Sequence, residues 1–187
     1  MIGKVYGIPP QAAVPEHTKY LPAGNLQLGI EYRSLDPESL VETYQHDAAQ
    51  LAEMLEKSPE GGFTDEGLSL HVVGEDGHEY VRFDVFEGEP HYHYNHPGPE
   101  VINNVIDFDT AAHGDMLPWA LACLRSRLPA MLAEAGGGAL VDGLDQAAIE
   151  AAVDQIAAMA ASVRAAGAAA SAASAASAGS AASAAKA

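Results

Sequence analysis

The chain has 187 residues and a formal net charge of −17, which is enough length for one modest hydrophobic core plus an appendage. So acidic a protein repels nucleic acids and anionic lipid headgroups, and we expect no nucleic-acid partner. The single cysteine, Cys123, excludes an intrachain disulfide and a four-cysteine zinc or iron–sulfur site.

The first segment, residues 1–25, predicts an extended N-terminal arm. Prolines interrupt it repeatedly and it shows little periodicity, although a short strand is expected at Ile2–Tyr6. Its first residues lack the long apolar stretch of a secretory signal. We therefore expect a cytoplasmic protein.

Residues 26–135 predict a head domain that begins with a strand and a helix. Apolar residues alternate with polar or small ones from Leu26 to Tyr32, the pattern of a half-buried strand. Asp36 and Pro37 then form a helix start, with aspartate as the N-cap and proline in the first turn. The apolar stripe that follows predicts one helix ending near Lys57.

The rest of the head predicts a β meander followed by a second helix. The strands are expected at Leu68–Val73, Tyr80–Phe86, His91–Tyr94 and Val101–Phe108. The second helix begins at Asp115, and Pro129 should kink or divide it. The head is thus predicted as α+β, a small antiparallel sheet with two packed helices.

The C-terminal part predicts a glycine-rich hinge at residues 136–143 and a long helix over residues 144–187, rich in alanine and serine. Apolar positions in its first half alternate steps of four and three, as in helices that pack on partner helices. These positions are Ile149, Val153, Ile156, Ala160, Val163 and Gly167. We expect this seam to join three or four copies in a parallel bundle that associates with the membrane, because such a stripe needs equivalent helices and does not pack alone against its own head. A disordered tail is the alternative.

The densest cluster of potential ligands is the run from His91 to His96. On a strand, His91 and His93 point to the same face, and His96 is expected to join them from a turn. Three imidazoles with a nearby carboxylate are suited to zinc or iron. Alternatively, the same residues pack and hydrogen-bond at a sheet face or a protein contact.

The combination of an acidic α+β head, a glycine hinge and an Ala/Ser-rich helical C-terminus resembles the central stalk subunit of the mycobacterial high-affinity uptake nickel–iron hydrogenases. The resemblance implies a non-catalytic scaffold that binds the large and small hydrogenase subunits. It also implies a homotetramer whose C-terminal helices form an apolar tube, which associates peripherally with the cytoplasmic membrane and delivers menaquinone. No tightly bound cofactor is expected in such a subunit.

Two further functions are compatible with the residues. One is a small metal-binding enzyme built around His91, His93 and His96, and the other is a binding domain with a disordered tail. The scaffold is the preferred interpretation because an intact seam leads directly into the alanine-rich run.

Overall fold

The computed structural model describes residues 3–58, 62 and 64–184, with side chains described along the final helix as far as residue 173. An antiparallel sheet of seven strands has the order β1-β7-β6-β5-β4-β3-β2. The strands are β1 Lys4–Tyr6, β2 Lys19–Ala23, β3 Leu26–Leu35, β4 Asp65–Gly74, β5 Glu79–Phe86, β6 His91–His96 and β7 Ile102–Asp107. The α+β class is confirmed, and the sheet is larger than predicted because the expected arm contributes an edge strand at each side.

The helices are α1 Pro37–Tyr44, α2 Ala48–Lys57, α3 Thr110–His113, α4 Met116–Ser126, α5 Leu128–Glu134 and α6 Gln146–Ala184. The single helix predicted up to Lys57 is two helices. The first ends at Tyr44 with Gln45 as its C-cap, and Asp47 caps the second, because its side chain accepts hydrogen bonds from the N–H groups of Ala49 and Gln50. The predicted division of the later helix near Pro129 is confirmed by the break between α4 and α5.

The first face of the sheet carries the main core. Alternate residues of β3, β4 and β5 point to this face, among them Leu28, Leu70 and Phe83, all at most 1 % exposed. Helices α4, α5 and α6 cover them. The glycine-rich segment after α5 forms a short 3-10 helix at Gly138–Gly143, and the Leu140 carbonyl accepts a hydrogen bond from the Asn25 side chain. The segment is thereby fastened to the head.

Helix α6 packs on its own sheet, contrary to the expectation that its apolar stripe needs helices from other copies. Ile149, Val153 and Ile156 are fully buried and Ala160 is 3 % exposed, all within the main core. A Cβ added to Gly167 would lie 2.1 Å from Cγ of Tyr32, so glycine is what allows the helix to approach strand β3 there. The predicted seam is therefore largely an intramolecular interface, with Val163 partly buried against the same core.

The second face of the sheet is covered by a thinner layer made of residues 7–18 and helices α1 and α2. Ile8, Tyr44 and Met54 form a separate small hydrophobic cluster within this layer. The Tyr44 hydroxyl donates to the Pro9 carbonyl over 2.8 Å, and the Lys57 ammonium donates to the Val5 carbonyl over 2.7 Å. These bonds fix the layer in position over the polar side chains described next.

Candidate functional site

The second face of the sheet buries an unusually polar set of side chains. Each is at most 7 % exposed: Glu31, Arg33, Ser69, His71, Arg82, Asp84, His93, Asn95 and Asn103. Burying so many polar groups carries a large desolvation cost unless each finds a partner, so their concentration on one face calls for a specific explanation. A cleft of about 250 Å³ opens over part of this face, between the strands and the α1–α2 layer.

Three potential metal ligands meet at the floor of the cleft. Asp84 lies on β5, and His91 and His93 lie on the neighbouring strand β6, where Asp84 pairs with His91. Asp84 Oδ2 is 3.0 Å from His93 Nε2 and 3.4 Å from His91 Nε2. One ligand atom from each residue lies within 4.8 Å of the others. Strand alternation therefore gathers two imidazoles and one carboxylate around a common point.

The remaining atoms of these side chains are held by other groups. His91 Nδ1 donates to the carbonyl oxygen of Glu89 over 2.7 Å, and His93 Nδ1 donates to Asn103 Oδ1 over 2.7 Å. The hydroxyl of Ser69 donates to the other oxygen of Asp84 in a short hydrogen bond. Metal-binding histidines in proteins are oriented by such outer partners, which hold the proton on one nitrogen and leave the other free to bind.

This arrangement places hydrogen-bond acceptor atoms of the three side chains opposite one another. With the protons on Nδ1, the Nε2 atoms of His91 and His93 both present lone pairs to the same oxygen of Asp84. Each Nε2 atom donates a hydrogen bond to Asp84 only while it carries a proton, and once that proton is lost its lone pair is free to bind a metal ion. Two ligands about 2.05 Å from a tetrahedral zinc ion are about 3.3 Å apart, and ligands at right angles are about 2.9 Å apart. The two observed separations lie close to these values, and the shorter one is also an ordinary hydrogen-bond distance.

Electrostatics favour an ionised carboxylate at this position. Burial opposes the ionisation of Asp84, but the hydrogen bonds from His91 and His93 outweigh it and hold the pKa of Asp84 well below its usual range. Burial lowers the pKa of His93 more than Asp84 raises it, a shift that favours the neutral imidazole, the form that binds metals. Burial also lowers the pKa of His91, but the Asp84 hydrogen bond reverses the shift and raises it.

The structure brings together two of the three histidines that the sequence analysis grouped as ligands. His91 and His93 come together as expected, but His96 does not join them. Strand β6 extends through His96 instead of turning before it, so this side chain points to the opposite face, where its Nδ1 lies beside Gly136. Asp84 was missed, because the alternation of Arg82 and Asp84 with apolar residues in β5 marks a polar face but does not show that this face is buried. Asp107 pairs directly with His91 and also lines the cleft.

A buried charge network adjoins the three ligands. The imidazole of His71 lies between Glu79, 2.5 Å from its Nδ1, and Glu31, 3.2 Å from its Nε2. Arg82 binds both oxygens of Glu79, and Arg33 binds Glu31. Burial opposes the ionisation of Glu79, but Arg82 and His71 overcome it and hold its pKa at about 2. The network also fastens the N-terminal segment, because both arginines donate to the Gln11 carbonyl oxygen.

His71 gives this network a pH dependence that can be measured. Burial lowers its pKa, but the hydrogen bonds to Glu31 and Glu79 outweigh burial and raise the pKa above the ordinary value of 6.5. The stabilisation that the charged imidazole of His71 gives the folded state is therefore complete at pH values below 6.5. It is lost as pH rises through the pKa of His71 in the folded state. His71→Gln should lower the free energy of unfolding by about 2 kcal/mol at mildly acidic pH, and by less in alkaline solution. Urea unfolding across this range measures it.

The matched control is His17→Gln, because His17 is exposed on the N-terminal segment. That substitution should leave the free energy of unfolding unchanged at every pH. A His71→Gln effect of the same size throughout the pH range would contradict the proposed charge of the imidazole.

Comparisons with known proteins give a family but no described relative. No curated protein and no solved structure matches the chain. A family model described as a domain of unknown function (DUF7700) matches residues 20–160, a span that includes Asp84, His91 and His93 together with the first part of α6. Because this match covers well over half of the chain, the protein belongs to the DUF7700 family.

Proposed function

We propose that the protein binds a divalent transition-metal ion through Asp84, His91 and His93, and uses the ion to act on a small molecule in the adjoining cleft. The observation that carries the proposal is the convergence of two Nε2 atoms on one carboxylate oxygen at 3.0 and 3.4 Å. The outer hydrogen bonds from both Nδ1 atoms support it, because they orient lone pairs toward the shared point.

The number of ligands favours a reactive site over a structural one. Structural zinc sites have four protein ligands, whereas catalytic zinc and non-haem iron sites have three and keep positions open. All three ligands line the cleft, so a molecule in the cleft has access to those open positions. The metal would supply Lewis acidity there, while Ser69 and Asn103 hold the ligands in orientation.

Titration of the metal-free protein with zinc, followed by calorimetry, tests this proposal. We expect saturation at one ion per chain and proton release if His91 is protonated before binding. Cobalt(II) should bind at the same site and give the visible absorption of a coordinated ion. Weak binding of several ions, with no saturation at one equivalent, would contradict the proposal.

A second candidate function uses the C-terminal end of α6. The helix continues to Ala184 beyond the point where the Ser171 hydroxyl lies 3.5 Å from that of Ser34. Its stretch Gln146–Ala173 is long and apolar enough to cross a membrane by length and composition, although core helices of soluble proteins meet the same criterion. Contact of this helix with a membrane or with other copies is therefore the second candidate. The tetramer, the hydrogenase subunits, menaquinone and the cytoplasmic location stay predictions from the sequence.

A further inference from the structure

Building on the proposed metal site, we infer that the cleft binds a small molecule with two unlike ends, a metal-chelating oxygen group and an apolar body. The inference comes from the walls of the cleft, which differ sharply in chemistry. Asp84, His91 and His93 lie on the sheet side, and Leu40, Tyr44 and Met54 lie on the helical side.

The apolar wall is part of the chain's second hydrophobic cluster. Ile8, Tyr44 and Met54 are at most 7 % exposed, and Leu40 packs against them while also lining the cleft. Leu40 is the half-buried member of this wall, so a ligand whose body lies there removes the remaining apolar surface of Leu40 from water, which contributes favourably in proportion to the area buried. The sheet side instead presents the three candidate ligands, so the two ends of the ligand are distinguished.

The size of the cleft limits the ligand. Pockets for drug-sized molecules have volumes of about 300–1,000 Å³, and this cleft is smaller, at about 250 Å³. The wall is also held in place, since Gln11 Nε2 donates to Thr43 Oγ1 over 2.9 Å and Tyr44 binds the Pro9 carbonyl. A preformed cleft of this size fits one ring or a short chain attached to a chelating group.

Two hydroxamates test the inference on the cobalt(II)-loaded protein, with the visible spectrum of cobalt as the signal. Acetohydroxamate and benzohydroxamate share one chelating group and differ in the apolar body. We expect both to change the spectrum, with benzohydroxamate binding at least about tenfold more tightly, because its ring buries apolar area on the helical wall. Leu40→Ala should reduce this preference severalfold.

The control is Val41→Ala, since Val41 is the next residue of the same helix, is 40 % exposed and lies outside the cleft. The Val41→Ala variant should keep the full preference for benzohydroxamate over acetohydroxamate. Equal affinities of the two hydroxamates for the unmodified protein would overturn the inference while leaving metal binding intact. Absence of a cobalt spectrum before any hydroxamate is added would overturn the proposed function and this inference with it. The comparison in the unmodified chain does not depend on the folding of either variant.

Discussion

His91→Ala is expected to weaken zinc binding by about 100-fold or more, while His96→Ala leaves it unchanged. Loss of an outer partner alone commonly costs 10–100-fold in metal affinity, so loss of a direct ligand should cost at least as much. The two histidines belong to the same strand and both are half-buried, which makes them a matched pair. They differ in the face to which they point, and only His91 contacts Asp84.

Calorimetric titration of both variants with zinc measures this difference. Circular dichroism of each variant confirms that the sheet is intact, and His91 is the better ligand to remove because its side chain is 18 % exposed. Equal losses of zinc affinity in the two variants would indicate that the metal is bound elsewhere, or by the whole segment from His91 to His96. No loss in His91→Ala would contradict the assigned ligand set.

Ile156→Ala is expected to lower the free energy of unfolding by about 2–5 kcal/mol, the usual cost of emptying a fully buried aliphatic site. Ile156 is 0 % exposed and packs in the core between α6 and the sheet. Because the contact is within one chain, the loss should be the same at low and high protein concentration. The seam predicted from the sequence would instead give a loss coupled to dissociation of an oligomer.

Gln155→Ala is the matched control on the solvent side of the same helix turn, and should change the free energy of unfolding by less than about 0.5 kcal/mol. Urea unfolding at two protein concentrations, combined with light scattering, measures both variants. A stability loss that disappears at high concentration, or a change in the number of associated chains, would contradict the intramolecular assignment of Ile156.

In α6, the hydrophobic periodicity of the sequence predicts the helix and its buried face but not the surface against which that face packs. The spacing from Ile149 to Ala160 correctly predicted a helix with one buried stripe. It did not determine the partner, since a stripe of this width fits a sheet as well as another helix. The absence of a side chain at Gly167, interpreted as part of a seam, is required by the ring of Tyr32.

The candidate metal site was also predictable only in part. The two-residue alternation of a strand was enough to bring His91 and His93 to one face. The position of His96 depended on where the strand ends, and the strand continues through His96 up to Pro97 instead of turning before it. Asp84 could not be assigned because an alternating strand normally exposes its polar face to water. Here residues 7–18 and α1–α2 cover that face, through contacts between residues distant in sequence.

The central claim is that Asp84, His91 and His93 hold one metal ion, and anomalous diffraction from crystals of the zinc-loaded protein tests it most directly. The account predicts one strong peak at the zinc absorption edge, within about 2.0–2.2 Å of His91 Nε2, His93 Nε2 and a carboxylate oxygen of Asp84, with its open side toward the cleft. A map with full zinc occupancy elsewhere, and with Asp84 still bonded directly to both imidazoles, would contradict it.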